Sequence, residues 1–178
     1  KGVGQTQVNL KTGYDFAMGL RSMLRQDPDV VMVGEIRDQE TARIAIQASL
    51  TGHLVLSTVH TNSAVGAITR LRDMGIEPFL LSSSLKTIIS QRLARRLCHQ
   101  CKVEHPLSSS MAKLFNIKKG TTVFAAKGCD HCDGIGYVGR IAVAESVQID
   151  AELKNMIHQR ESEQAIAKYA FQHHLSID

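Results

Sequence analysis

The chain has 178 residues, 43% of them hydrophobic and 21% charged, and its 21 Lys and Arg stand against 17 Asp and Glu for a formal charge of +4. That length suits one ordinary domain plus a small second one, and the composition excludes a disordered or low-complexity polymer. No apolar run approaches the roughly 20 residues that cross a bilayer, nothing at the start reads as a secretory leader, and the absence of Trp leaves an aliphatic core.

The chain opens at Lys1 rather than Met, which reads as a piece cut from something longer. Residues 1–14 are polar with glycines and predict a loop or short hairpin. Asp15 can cap a helix reaching about Gln26, with Phe16, Leu20, Met23 and Leu24 turned inward. Arg21 and Arg25 lie one turn apart on that helix, so they share a face and are expected to project together toward the next strand. Pro28 stops the helix. Val30, Val31, Met32 and Val33 then follow without polar alternation, the pattern of a parallel strand buried on both faces. The run stops at Gly34, and Glu35 stands where the strand ends, with Arg37 and Asp38 close behind. Open α/β sheets collect ligands at the carboxyl ends of their strands, so Glu35 is where a reactive acid is expected.

Asp38 caps a second predicted helix, through Thr51, with Ala42, Ala45, Ile46, Ser49 and Leu50 inward and Gly52 as its stop. Residues 54–59 predict a second buried strand, ending in His60, Thr61 and Asn62. If the two strands are neighbours, His60 stands beside Glu35. A third helix spans about Ser63 to Met74 and stops at Gly75, with Arg70 and Arg72 near its end. Pro78 opens a fourth, in which Phe79, Leu80, Leu81, Leu85, Ile88, Ile89 and Leu93 repeat at helical spacing, although Ser82, Ser83 and Ser84 compete with its backbone. Strand, helix, strand and helix in alternation make half of a doubly wound α/β domain.

All four cysteines fall in two matched pairs, Cys98 with Cys101 and Cys129 with Cys132. Each two-residue gap lets two thiolates face one ion, and the two pairs together supply four tetrahedral sulfur ligands, favouring structural zinc over disulfides or a redox pair. The separation between pairs leaves room for a helix near residues 109–116, and His99 and His131 sit inside the knuckles rather than among the ligands. A glycine-rich turn at 134–140 leads into a strand at 141–145. Helices from Asp150 to about His158 and from Ser162 or Glu163 to about His173 close the chain, with Leu153, Met156, Ile157, Ile166 and Phe171 inward.

The stretches 24–29, 34–38 and 51–62, taken with the four cysteines, resemble the C-terminal half of the secretion ATPases of the type II secretion and type IV pilus superfamily, across essentially the whole chain. The resemblance implies an α/β fold in which 1–96 is part of a RecA-like P-loop core, 97–146 a tetracysteine zinc-binding subdomain and 147–178 a C-terminal helical segment. Residues 30–35 are similar to the family's atypical Walker B segment, with Gly34 in the place of a magnesium-binding Asp and Glu35 polarising the attacking water. His60 matches the family's histidine box, and Arg21, Arg25, Arg37 and Arg70 match arginines needed for the family's activity, any of which could neutralise phosphate charge in its own or a neighbouring subunit, a role worth orders of magnitude in rate. Val59 replaces the usual Leu before the histidine, and Ala144 stands where an aromatic residue often precedes the acid of the strand at 141–145.

No G-x-x-x-x-G-K-[ST] occurs in the chain. The resemblance places the phosphate loop upstream of Lys1, so the chain alone is expected neither to bind ATP tightly nor to hydrolyse it. The full-length protein is expected to be a cytoplasmic homo-hexamer peripheral to the inner membrane, using ATP, Mg2+ and Zn2+ and working with inner-membrane platform and docking proteins to assemble a pseudopilus. Pilus extension is the alternative within the family, and the cysteines disfavour the retraction branch. The alternative of another class is a zinc-ribbon module contacting nucleic acid or protein, with Arg92, Arg95, Arg96, Lys102, Lys118 and Lys119 on nucleic acid; scarce aromatics and the small charge speak against nucleic acid.

Overall fold

A computed structural model describes residues 2–114, 117–118 and 121–173. The chain divides into two compact units, Lys1–Ser90 with Glu145–Asp178, and Gln91–Ala144.

The first unit opens with a tight turn at Leu10–Thr12, closed by an antiparallel bridge between Asn9 and Tyr14. Helix α1 (Phe16–Leu24) starts at Asp15, whose carboxylate accepts from the Met18 N–H at 2.8 Å. Helix α2 (Gln39–Leu50) starts at Asp38 in the same way, and Gly52, at φ 105°, lets the chain turn out of it. Helix α3 (Ala64–Asp73) starts at Ser63 and ends before Gly75, at φ 81°. Between them run strand β1 (Val30–Val33) and strand β2 (Leu54–Ser57), parallel and in register from Val30 opposite Leu54 to Val33 opposite Ser57.

Burial on both faces of this sheet does not hold. Val31 and Val33 are buried, but Val30 and Met32 are 55% and 67% exposed, and Leu54 and Leu56 are also open. An unbroken apolar run says that a strand is built to be covered twice, whereas the described residues cover only one of its faces.

The expected fourth helix is also shorter. Helix α4 (Pro78–Ser84) ends where Leu85 turns extended (φ −65°, ψ 133°), and strand β3 (Thr87–Leu97) follows. The hydroxyls of Ser82 and Ser83 donate back to the Phe79 carbonyl and that of Ser84 to the Leu80 carbonyl. Such back-bonding weakens a helix, and the β-branched run Thr87, Ile88, Ile89 favours the strand.

Helix α6 (Ala151–His158) and helix α7 (Glu163–His173) complete the first unit. Leu153, Ile157 and Ile166 are almost wholly buried, α6 packing on α4 and α7 on α3. Each such side chain contributes about 1.5–3 kcal/mol by leaving water. Phe171 and Leu50, expected inside, are 55% and 46% exposed; Ile44 and Ala48 take the inner face of α2. Among the described residues no helix is long and apolar enough to cross a membrane.

In the second unit strand β4 (Val103–His105) pairs antiparallel with strand β5 (Val123–Ala125), and helix α5 (Ser109–Leu114) lies between them in sequence. Asn116, expected at the end of that helix, and Lys119, in the nucleic-acid alternative, lie outside the described residues. Strand β6 (Tyr137–Gln148) pairs with β3, and both strands carry the chain between units.

Candidate functional sites

The parallel pairing of β1 and β2 brings their C-terminal ends together. The ladder continues past the strands: the Ile36 N–H donates to the Thr58 carbonyl at 2.9 Å, and the Thr58 hydroxyl donates to the Gly34 carbonyl at 2.7 Å. Gly34 is flanked by the ring of Phe16, which a Cβ there would meet at 3.6 Å. Thr58 is a fastener that sequence reading missed, since a hydroxyl after a strand is a common surface feature with no distinguishing spacing.

That fastening sets Glu35 beside His60. Glu35 Oε1 lies 2.5 Å from an Arg37 guanidinium nitrogen, and Oε2 lies 3.1 Å from His60 Nε2. The Glu35 side chain is only 18% exposed, whereas those of Arg37 and His60 are 67% and 84% exposed. The Arg37 hydrogen bond holds the Glu35 carboxyl below its ordinary value against the opposing pull of desolvation, and the His60 contact adds to the lowering. Glu35 is therefore anionic at neutral pH and can only accept, so His60 Nε2 carries the proton of that contact. An ionised carboxylate with a basic and an imidazole partner, at the mouth of two parallel strands, can orient a water and answer the arrival of an anion that competes for its cations.

The remaining arginines are not brought to Glu35. Arg21 of α1 pairs with Glu40 in the first turn of α2, both half-exposed. Arg25 stands at the C-terminal cap of α1, and Arg70 is exposed in the last turn of α3. Arg21 is thus paired with Glu40, 19 residues along the chain, instead of standing free beside Arg25. A cavity of about 280 Å³ lies behind β2, lined by apolar and hydroxyl side chains such as Val55, Val59, Thr61 and Ile88; neither Glu35 nor His60 reaches it.

The second site is the cysteine cup. The four sulfur atoms all lie within 4.8 Å of one another, and Cys98, Cys101 and Cys132 are buried. Zinc–sulfur bonds of about 2.3 Å in a regular tetrahedron require sulfur–sulfur edges of about 3.8 Å. The observed contacts are 3.7 Å for Cys129 with Cys132, 3.8 Å for Cys101 with Cys132 and 3.9 Å for Cys98 with Cys129, so the residues fit the ion.

The backbone prepares the cup for negative charge. N–H groups of Cys129 and Gly136 each donate to Cys132 Sγ at 3.2 Å. Burial pushes the Cys132 thiol up, but these donors outweigh it and hold the thiol at about 7; burial and the neighbouring thiols push Cys129 up to about 11. Gly136 sits at φ 75°, and a Cβ there would come within 2.6 Å of Ala126. Its glycine is what lets the chain close over the sulfurs. His99 and His131 meet edge to face at 5.3 Å and are exposed.

The family model described as type II/IV secretion system protein matches residues 1–177. The type II secretion system ATPase E of Vibrio cholerae is 56% identical over 170 residues, which are 94% of this chain and 34% of that protein. The type II secretion system protein E of Klebsiella pneumoniae is 56% identical over 163 residues, 92% of this chain and 33% of that protein. Among solved structures, the pilus retraction motor PilT with bound ADP superposes with a TM-score of 0.60 at 29% identity, covering 92% of this chain and 37% of that one. The chain spans about a third of the length of the curated relatives it matches. It belongs to the type II/IV secretion system protein family.

Proposed function

We propose that this chain is the part of an ATP-hydrolysing motor that orients the attacking water and couples hydrolysis to movement, and that the motor drives pseudopilus assembly in type II secretion. The observation that carries the reading is Glu35, ionised at the C-terminal end of β1 and held between Arg37 and His60, which follows the neighbouring strand. Glu35 would position the water and receive its proton. The γ-phosphate would draw on Arg37 and on Arg21, Arg25 and Arg70, from this subunit or a neighbour. His60 would register that change at the end of β2 and pass it to α3, four residues on.

The nucleotide itself would be held by parts of the full-length protein outside this chain, on a RecA-like core that continues the sheet. The open apolar face of Val30, Met32, Leu54 and Leu56 supports a layer of that core packed over it, because a contiguous exposed apolar face marks a contact surface. Mg2+ would arrive with the phosphates. Zn2+ would be held by Cys98, Cys101, Cys129 and Cys132 as a closed structural site, with no open position for chemistry.

Identity of 56% to type II secretion proteins against 29% to a retraction motor favours the secretion branch. The working assembly would then be a homo-hexamer on the cytoplasmic side of the inner membrane, engaged with its platform and docking proteins.

The test is Glu35→Gln in the full-length protein. Turnover is expected to fall about a hundredfold or more, with zinc content retained and the chain folded. Near-normal turnover in a folded, zinc-loaded variant would overturn the assignment of Glu35.

A further inference from the structure

The second unit carries a feature that the motor reading leaves unused. Beside the cysteine cup runs a groove of about 550 Å³. Arg95, Arg96 and Lys102 border it, and Leu97, Val138 and Ile141 supply apolar wall; among the described residues no carboxylate lines it. Two of its cations are fixed on aromatic rings: Arg95 lies 4.1 Å above the centre of Tyr137, and Lys102 Nζ lies 4.6 Å above that of Phe124. Arg96 Nε donates to the Val138 carbonyl at 3.3 Å. Residues 91–144 hold a clear excess of Lys and Arg over their three acids, Glu104, Asp130 and Asp133.

A guanidinium stacked on a ring uses its flat face and keeps its N–H edge for other partners. Such an edge matches a carboxylate through two parallel hydrogen bonds, and holding the cation in place beforehand reduces the ordering cost of binding. The alternation of fixed cations with aliphatic wall calls for a ligand that alternates carboxylates with apolar side chains. Single-stranded nucleic acid fits poorly, because it needs open ring faces and a cation already covers one face of each ring.

We infer that this groove is a docking site for an acidic, partly aliphatic peptide segment of a partner protein. The inference does not rest on the ATPase reading, and its test measures no turnover. The zinc-loaded chain would be titrated, by fluorescence anisotropy, into a labelled synthetic peptide alternating glutamate with leucine. A glutamine–leucine peptide, phosphatidylglycerol vesicles and oligothymidylate are the comparisons.

Saturable binding of the glutamate peptide is expected, weakening as salt is raised. Arg95→Glu and Lys102→Glu should each weaken it about tenfold or more, with Arg95→Lys in between because it keeps the charge and loses the fork. Bound zinc reports whether each variant is folded; should Arg95→Glu fail to load zinc, Lys102→Glu decides. Equal binding of the glutamine peptide would overturn the inference. So would unchanged affinity in the zinc-loaded variants, or tighter capture of vesicles or oligothymidylate through the same residues.

Discussion

The two sites solve opposite problems. The cysteine cup is self-contained: its four sulfurs, the N–H donors that prepare them and the glycine that closes the chain all lie between Cys98 and Gly136. The Glu35 cluster is a junction. Its carboxylate is partly shielded, its two partners are largely exposed, and the sheet that presents it has one apolar face open. On the proposed function, the cup would be a closed metal site that organises its own unit, whereas the Glu35 cluster would have to leave its cations reachable for an anion. The first should therefore fail all at once when its ion is removed, and the second should change activity without changing the fold.

Zinc removal breaks the comparison most directly. Structural zinc contributes about 10 kcal/mol or more in small zinc modules, so chelation is expected to abolish amide protection around Cys98–Cys101 and Cys129–Gly136. Hydrogen exchange should find α2, β1 and α6 still protected. Equal loss in both units would mean that they fold as one cooperative block, and the separation argued above would be wrong.

The core of the first unit offers the next largest effect. Leu153 is wholly buried where α6 packs on α4, and Leu153→Ala leaves a cavity that costs about 2–5 kcal/mol. A lowered urea midpoint with full zinc content is the expected outcome, the mirror image of chelation. A smaller change comes from Asp38→Ala, which removes the acceptor for both the N–H and the hydroxyl of Thr41 at the start of α2. About 1 kcal/mol is expected from urea melts, and a midpoint equal to that of the unaltered chain would show that the cap is dispensable.

How much of this was legible in the sequence follows the range of each interaction. Asp15, Asp38, Ser63 and Asp150 announce helix starts through contacts three residues away, and each caps its helix in the structure. The cysteine cup is legible because two short pairs fix the ligands, and the neighbourhood of Glu35 and His60 because parallel strands align their ends. The apolar repeat of 79–93 misled because leucine and isoleucine at that spacing suit a strand as well as a helix; the three serines and the β-branched run decided between them. Burial of β1 and β2 could not be read because it depends on what else covers the sheet. The pairing of Arg21 with Glu40 was invisible for the same reason, being set by how α1 lies against α2.

The finest distinction concerns what holds Glu35 below its ordinary value. Arg37 is the largest lowering influence and His60 a lesser one, so Arg37→Gln should raise the Glu35 carboxyl titration more than His60→Asn does, read by carbon-13 NMR of the side chain. A carboxyl lowered in the folded state stabilises it above its unfolded value, about 4.3, and loses that contribution as the pH falls through the folded value. The stability gap between the unaltered chain and Arg37→Gln should accordingly be full at neutral pH and close under acid conditions. Both groups reach solvent, so added salt should narrow the gap as well. A gap that widens in acid would reverse the sign and place Arg37 against some group other than Glu35, while identical titrations in both variants would mean that solvent, rather than either partner, sets the charge of this carboxylate.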